Sequence, residues 1–236
     1  MPNYVTHIIE RAKIAEKTMQ VVLDKPSGMT FRAGQNIHIK LPELLYPDQK
    51  GPSRVFTLSS APHHPHLTLT TRMTGSGFKK TLSELPLKTK LEFMGPNGKF
   101  YLPEHINKAV FIAGGIGITP FKSMLEDAQE NGRSLNVDLI YSNKTLASAA
   151  FHQLFMEMSR SDNFALNYLP IITDDKDWPG ETQRIDMDFL QNRILDYGEK
   201  EFFFCGPPQM VDDLKAILSD AGVPTEKRHF ESFWGY

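Results

Sequence analysis

The 236-residue chain predicts two domains, an antiparallel β-barrel over residues 1–103 and an α/β domain with a parallel sheet over residues 104–236. Two observations predict this fold class. In the first half, apolar and polar residues alternate, as they do in strands buried on one face only. In the second half, short continuous apolar runs alternate with amphipathic stretches, a pattern typical of βαβ units with parallel strands.

In the barrel half, the alternation is carried by three groups of apolar residues: Met19, Val21 and Leu23; Ile37, Ile39 and Leu41; and Leu67 and Leu69. Proline and glycine turns separate these runs, including Pro26-Ser27-Gly28 and Gly95-Pro96-Asn97-Gly98. One short helix is predicted from Phe78 to Leu85. Strands of this length and spacing favour a small barrel or sandwich.

In the α/β half, apolar runs predict strands at 109–113, 135–141, 164–169 and 201–205, with helices near 120–131, 147–159, 186–194 and 208–221. This succession indicates a Rossmann-like parallel sheet. Ligands of such sheets bind beyond the carboxyl ends of the strands. The loops Gly114–Thr119 and Cys205–Pro208 both follow predicted strands, so we expect them to border one cleft.

A glycine loop joins the first of these strands to its helix. Thr119 is predicted to cap the helix and Pro120 to be its first residue. Gly114, Gly115 and Gly117 permit a tight turn and close approach of a ligand, and free amides at a helix start favour an anion. A nucleotide phosphate fits this pattern. The alternative is an ordinary tight turn, since the spacing is not G-x-G-x-x-G.

Composition excludes several classes of protein and partner. The net charge of −2, with no basic stripe, argues against nucleic-acid binding. Cys205 is the only cysteine, which excludes an internal disulfide and a cysteine-ligated iron–sulfur cluster. No signal peptide, membrane span or metal site is expected, because the charged start, the long apolar run and regular ligand spacing are all missing. We expect a cytoplasmic protein.

Three separate motifs together indicate a family. They are Arg54-Val55-Phe56-Thr57-Leu58-Ser59-Ser60, the Gly114–Pro120 loop, and Cys205-Gly206-Pro207-Pro208-Gln209-Met210. Their order resembles the ferredoxin–NADP reductase superfamily over essentially the whole chain. The resemblance implies an N-terminal flavin-binding barrel followed by a nicotinamide-binding α/β domain, with a C-terminal segment that returns to the flavin.

The resemblance also implies the residues of a flavin site. Arg54 would bind a flavin phosphate, and Thr57 would lie near flavin N5. Phe56 replaces the tyrosine usual in the family, which removes one hydroxyl group. The segment around residues 72–78 would hold the pyrophosphate. The flavin-binding residues implied in this way are Arg54, Phe56, Thr57, Leu58, Ser59, Arg72, Gly75, Ser76, Gly77 and Phe78.

By the same resemblance, the α/β domain would bind the nicotinamide nucleotide. Its implied contacts are Gly115, Gly117, Thr119, Ser142, Lys144, Cys205, Gly206, Pro207 and Tyr236. Thr57, Cys205 and Glu231 would border the reacting atoms and form the catalytic set. Tyr236 would lie on the flavin face that nicotinamide must reach. A tail docked on the core or a dimer interface is the alternative for these C-terminal aromatics.

The function implied is hydride transfer from NAD(P)H to a bound flavin, with FAD expected rather than FMN. Ser142 and Lys144 favour NADPH slightly over NADH. A free-flavin reductase is one alternative, and a non-catalytic electron-transfer subunit of a larger complex is another. The electron acceptor stays open among a small redox protein, a quinone-like molecule, free flavin and oxygen.

Overall fold

The computed structural model describes residues 2–161 and 164–233, and it contains two sheets. The antiparallel strands are β1 (Asn3–Ala15), β2 (Thr18–Asp24), β3 (Asn36–Lys40), β4 (Ser53–Thr57), β5 (His66–Arg72) and β6 (Lys90–Asn97). They pair in the order β4-β3-β6-β1-β2-β5. Helix α1 (Gly77–Glu84) follows β5, close to its predicted place.

The two edges of this antiparallel sheet meet, so the sheet closes into a barrel. Leu58, just after β4, forms an antiparallel bridge with Leu69 of β5. The Ser59 amide also donates a hydrogen bond of 2.9 Å to the Thr68 carbonyl. The apolar positions of the predicted alternation fill the interior, where a closed barrel leaves no edge for other chains to pair with.

The second sheet is parallel throughout. Its strands are β7 (Lys108–Gly114), β8 (Asn136–Asn143), β9 (Ala165–Ile172), β10 (Glu201–Gly206) and β11 (Arg228–Ser232), in the order β11-β10-β7-β8-β9. Its helices are α2 (Thr119–Glu130), α3 (His152–Met158), α4 (Met187–Arg193) and α5 (Pro208–Asp220). Apolar cores lie on both faces. The predicted fold class is confirmed.

The C-terminal segment is the main departure from the predicted elements. Residues 228–232 form an edge strand that pairs in parallel with β10, with Cys205 opposite Glu231. Its charged residues and its exposed Phe230 do not form a continuous apolar run, because an edge strand is covered on fewer sides than a central one. The sequence pattern therefore predicted a tail where the structure has a fifth strand.

Two helix starts also differ from prediction. A 3₁₀ turn over Gly115–Ile118 precedes α2, and the Thr119 hydroxyl donates a bond of 3.1 Å back to the Ile116 carbonyl. Thr119 is therefore the first helical residue, not the cap. Helix α3 begins only at His152, after Phe151 adopts a left-handed φ of 62°. This backbone turn separates α3 from the 3₁₀ turn at 146–148 that the sequence pattern merged with it.

The barrel and the α/β domain are joined by buried hydrogen bonds. Lys122 and Ser123 of α2 donate to the Ser59 and Ser60 carbonyls over 3.1 and 2.7 Å. These bonds hold the segment after β4 against the start of α2. The exact division between domains after residue 103 stays a prediction. No helix in the described ranges is long and apolar enough to cross a membrane.

Candidate active site

A cleft of about 580 Å³ lies where the barrel meets the α/β domain. The barrel contributes the end of β4 and the start of α1, and the α/β domain contributes the 3₁₀ turn before α2 and the end of β11. The lining residues used below are Asn36, Asp48, Lys50, Arg54, Phe56, Thr57, Gly75, Ser76, Gly77, Lys79, Ile116, Thr119, Glu231 and Phe233. Both halves of the chain therefore build one site.

Only some of the residues predicted as flavin contacts in the Arg54–Ser60 motif line this cleft. Arg54, Phe56 and Thr57 line the cleft. Leu58 lies in the barrel core and is fully buried. Ser59 is also fully buried, and its hydroxyl bonds to Thr68 and Thr70. Leu58 and Ser59 do not line this cleft, because the barrel closes at this point, and their assignment as cofactor contacts stays a prediction.

Both Nη atoms of the Arg54 guanidinium contact protein acceptors. Its Nη1 donates to the carbonyls of Lys50, Gly51 and Ser53 over 3.0, 3.0 and 2.6 Å. Its Nη2 pairs with the Asp48 carboxylate. By the family resemblance, this guanidinium would bind a flavin phosphate, whereas in the structure the anion beside it is the carboxylate of Asp48.

Asp48 was not among the predicted site residues. Its carboxylate accepts from the Phe78 amide at 2.9 Å and the Ser76 hydroxyl at 2.7 Å, both at the start of α1. It also accepts from the Lys50 amide at 2.9 Å. The Phe78 amide chiefly, together with Ser76, Lys50 and Arg54, holds the pKa of Asp48 well below its usual range despite burial. Asp48 is therefore a fixed negative charge.

The two glycines that flank Ser76 differ in environment. A Cβ on Gly77 would lie 2.2 Å from the Pro47 carbonyl oxygen and 2.7 Å from that of Tyr46. A Cβ on Gly75 would meet nothing within 4 Å. Gly77 is therefore required by the approach of the 46–48 backbone, and only Gly75 leaves open space for a ligand.

Lys79 and Arg72 lie beside the start of α1. Lys79 Nζ donates to the Arg72 carbonyl over 2.9 Å. Burial, followed by repulsion from Arg54, Lys50 and Arg72, lowers the pKa of Lys79 to about 8. Arg72 Nη1 donates to the Glu16 carbonyl and the Thr18 hydroxyl in the barrel over 3.0 and 2.7 Å, and to the Ser148 carbonyl in the α/β domain over 3.0 Å. Arg72 therefore bridges the domains, and its flavin contact stays a prediction.

Two glycines of the 114–117 loop are required by close contacts with other parts of the protein. A Cβ on Gly114 would lie 2.4 Å from Met210 Sδ, and one on Gly117 would lie 2.2 Å from the Cys205 carbonyl oxygen. Gly115 has the left-handed φ of 52° that this turn needs. Gly117 is therefore required by packing against Cys205, and its nucleotide contact stays a prediction, while Ile116 and Thr119 line the cleft.

Glu231 and Cys205 are neighbours on paired strands but lie in different surroundings. Glu231 lines the cleft, and its Oε1 accepts a 3.3 Å bond from the Asn36 amide. Its Oε2 is buried and has no hydrogen-bond partner among the described residues. Burial raises the pKa of Glu231 to about 7. Cys205 is fully buried in the core, and burial, with the Glu231 charge, raises the pKa of its thiol.

The remaining predicted residues are spread along the carboxyl edge of the parallel sheet. Ser142 is half-buried at the end of β8, and Lys144 is exposed beyond it. Gly206 is buried and its carbonyl accepts from the Phe233 amide at 3.0 Å, while Pro207 is exposed. Tyr236 lies outside the described residues. Ser142, Lys144 and Pro207 do not line the cleft described above.

Comparisons with known proteins agree with this architecture. Residues 111–216 match the family of oxidoreductase NAD-binding domains. A ferredoxin NADP+ reductase from Neisseria gonorrhoeae, solved with bound FAD and NADP, has the same fold with a TM-score of 0.84 at 21% identity, and 98% of each chain is covered. The FAD/NAD-binding domain of Vibrio cholerae nitric oxide dioxygenase gives a TM-score of 0.82 at 17% identity, covering 97% of this chain and 98% of that one.

Curated relatives are longer than this chain. The phenol hydroxylase P5 protein of Acinetobacter pittii is 27% identical over 98% of this chain and 68% of its own length. The glycine betaine monooxygenase reductase subunit of Chromohalobacter salexigens is 27% identical over 96% of this chain and 64% of its own length. The chain thus spans about two thirds of these relatives.

The whole chain has the fold of the Neisseria ferredoxin NADP+ reductase, and residues 111–216 form an oxidoreductase NAD-binding domain. The resemblance to ferredoxin–NADP reductases predicted from the motifs is confirmed. The Neisseria reductase holds FAD and NADP, which are the two cofactor classes predicted from this sequence.

Proposed function

We propose that this protein transfers hydride from NAD(P)H to FAD and passes the electrons to a further acceptor. One observation carries the proposal. The Arg54–Thr57 strand of the barrel and the glycine turn of the α/β domain face one cleft, with Glu231 between them. A hydride transfer needs its two cofactors held together in such a shared, largely dry space.

The residues in the cleft fit a flavin. Phe56 and Thr57 offer an apolar surface and a hydroxyl group for a planar ring, and Lys79 supplies a cation. Glu231 also lines the cleft, and its buried Oε2 has no hydrogen-bond partner among the described residues. An unpaired buried polar atom of this kind is costly unless a ligand or water satisfies it.

Each residue then has a role that follows from its position. The flavin, when bound, accepts a hydride and releases electrons singly or in pairs. Thr57 would orient the ring by hydrogen bonding. Glu231, with a pKa raised by burial, can hold a proton near neutral pH and donate a hydrogen bond into the cleft. Cys205, buried beneath the β10 end, would support the nicotinamide-binding surface without acting as a nucleophile.

We infer NADPH as the preferred coenzyme. Ser142 is the second-last residue of β8 and the exposed Lys144 follows the strand, so a hydroxyl group and a cation are available to a 2′-phosphate. No acidic side chain ends this strand to hold a ribose diol. Anaerobic reduction by NADPH and NADH, measured side by side, tests this preference, and equal rates would contradict it.

We propose a separate redox protein as the acceptor. The curated relatives include reductase subunits of monooxygenases, such as the propane 2-monooxygenase reductase component of Rhodococcus jostii. This chain has a single cysteine and so provides no cysteine-ligated iron–sulfur cluster of its own. A quinone-like molecule, free flavin or oxygen are the other acceptors to compare, by the rate at which each oxidises the reduced protein.

A free-flavin reductase is the second candidate function. The ion pair of Arg54 with Asp48 favours it, since this carboxylate offsets the positive charge that a flavin phosphate would meet there. Purified protein that is yellow, and that NADPH bleaches anaerobically, supports a bound cofactor. Colourless protein that rapidly reduces added flavin supports the second candidate, and protein that neither binds nor reduces flavin would contradict both.

A further inference from the structure

The Asp48 carboxylate occupies the donors that a flavin phosphate would use. The Ser76 hydroxyl and the Phe78 amide, at the start of α1, both donate to one of its oxygens. The other oxygen pairs with Arg54. These are among the groups that the sequence resemblance assigns to phosphate binding, so the chain supplies its own anion there.

This carboxylate is built firmly into the site. The Asp48 side chain is only 7% exposed. The segment before it is fastened to α1, because the Leu45 amide donates to Thr81 Oγ1 over 3.1 Å and the Tyr46 hydroxyl donates to Glu84 over 2.6 Å. The Pro47 carbonyl packs on Gly77 too closely for a Cβ to fit. Asp48 is therefore a buried residue of the cleft wall, held in place by the contacts of the segment before it.

The charged side chains around Asp48 determine how strongly a phosphate would be attracted to this part of the cleft. Arg54, Lys50 and Arg72 each repel the Lys79 ammonium, which contributes to the lowered pKa of Lys79. The Asp48 carboxylate opposes this lowering of the pKa, and it pairs directly with Arg54. A phosphate beside Asp48 would gain attraction from the cations and lose part of it to repulsion by the carboxylate.

We propose that Asp48 is a specificity-determining residue that weakens the contribution of the flavin phosphate to binding. Recognition would then rest on the isoalloxazine ring and the ribityl chain, so that riboflavin, FMN and FAD bind with similar affinities. This inference rests on the proposed function, because it takes the cleft to be the flavin site. It accounts for the ion pair between Asp48 and an arginine that the family resemblance assigns to phosphate.

The substitution Asp48→Asn tests the proposal. Asparagine keeps the shape and one acceptor oxygen but removes the charge. Riboflavin and FMN differ by one phosphate, so the ratio of their dissociation constants, measured by fluorescence titration, isolates the phosphate contribution. We expect this ratio, riboflavin over FMN, to rise about tenfold in the variant, because a like charge next to the phosphate is removed.

Glu84→Gln is the matched control. It removes a carboxylate from the far end of the same helix, where Glu84 contacts the same segment through Tyr46. The ratio should equal that of the wild-type protein. A ratio in Asp48→Asn that is unchanged or lower would overturn the proposal, since Asp48 would then serve to orient Arg54 toward the phosphate.

Inorganic pyrophosphate separates this inference from the proposed function. If neither riboflavin nor FMN binds to any of the proteins, the proposed flavin site is wrong. The inference about Asp48 is still tested, because pyrophosphate should raise the unfolding temperature of Asp48→Asn more than that of the wild-type protein. Equal shifts in the two proteins would overturn it.

Discussion

The side-chain amide of Asn36 donates a 3.3 Å hydrogen bond to the carboxyl group of Glu231, joining β3 of the barrel to edge strand β11 of the parallel sheet. The contact crosses the junction between the two domains at the cleft. The second carboxyl oxygen of Glu231 has no hydrogen-bond partner among the described residues. This carboxyl group is therefore buried, singly bonded and, with a pKa raised to about 7, partly protonated at neutral pH.

Glu231 should make stability depend on pH. Its pKa rises from 4.5 to about 7 on folding, so the folded state binds more protons between these values. Its contribution to stability is complete below pH 4.5 and is lost as the pH rises through 7. Glu231→Gln should therefore raise the unfolding temperature, relative to wild type, more at pH 8 than at pH 5. The exposed Glu226→Gln is the control, and an equal difference at both pH values would contradict the prediction.

Lys79 should make phosphate-dependent flavin binding sensitive to pH. Because burial and neighbouring cations lower its pKa to about 8, Lys79 loses its charge as the pH rises through that value. FMN affinity should fall between about pH 7 and pH 9 while riboflavin affinity changes little. Lys79→Met should abolish this difference in fluorescence titrations.

Lys80→Met is the control for Lys79. Lys80 is the exposed neighbour whose ammonium lies over the Tyr46 ring at 3.7 Å from its centroid. The variant should keep the pH dependence of FMN binding. Loss of the pH dependence in both variants, or in neither, would show that Lys79 does not carry it.

Gly77 should tolerate no side chain. A Cβ there would lie 2.2 Å from the Pro47 carbonyl oxygen, and backbone of a fastened segment has little freedom to move. We expect Gly77→Ala to lower stability by about 2 kcal/mol or more and the unfolding temperature by roughly 5 °C. Gly75→Ala, with open space around its Cβ, should change the unfolding temperature far less. Equal effects in a calorimetric comparison would refute the packing argument.

Cys205 should be unreactive in the native protein. It is fully buried, and burial followed by the Glu231 charge raises the pKa of its thiol, which leaves little thiolate for alkylation. Iodoacetamide at pH 8 should label the chain only after denaturation. Mass spectrometry reads this directly because Cys205 is the only cysteine. Rapid labelling of folded protein would show that the thiol is accessible.

Local sequence patterns were sufficient to predict the barrel and the parallel sheet. Alternating apolar residues predicted the barrel and continuous apolar runs predicted the parallel sheet, because burial on one or both faces of a strand dictates the residues it can carry. The Arg54–Thr57 motif and the glycine loop also predicted that both domains border one cleft. These features depend on residues that are close together in the chain.

Only the tertiary structure decided how the site is built. Asp48 lies 30 positions from the Phe78 amide that binds it, and nothing in its local turn sequence indicates that contact. Gly117 must be small because the Cys205 backbone packs on it, a contact that its local sequence did not indicate. Residues 228–232 form a strand because β10 offers an edge to pair with. Such contacts join distant segments, so they arise only once the whole chain is packed.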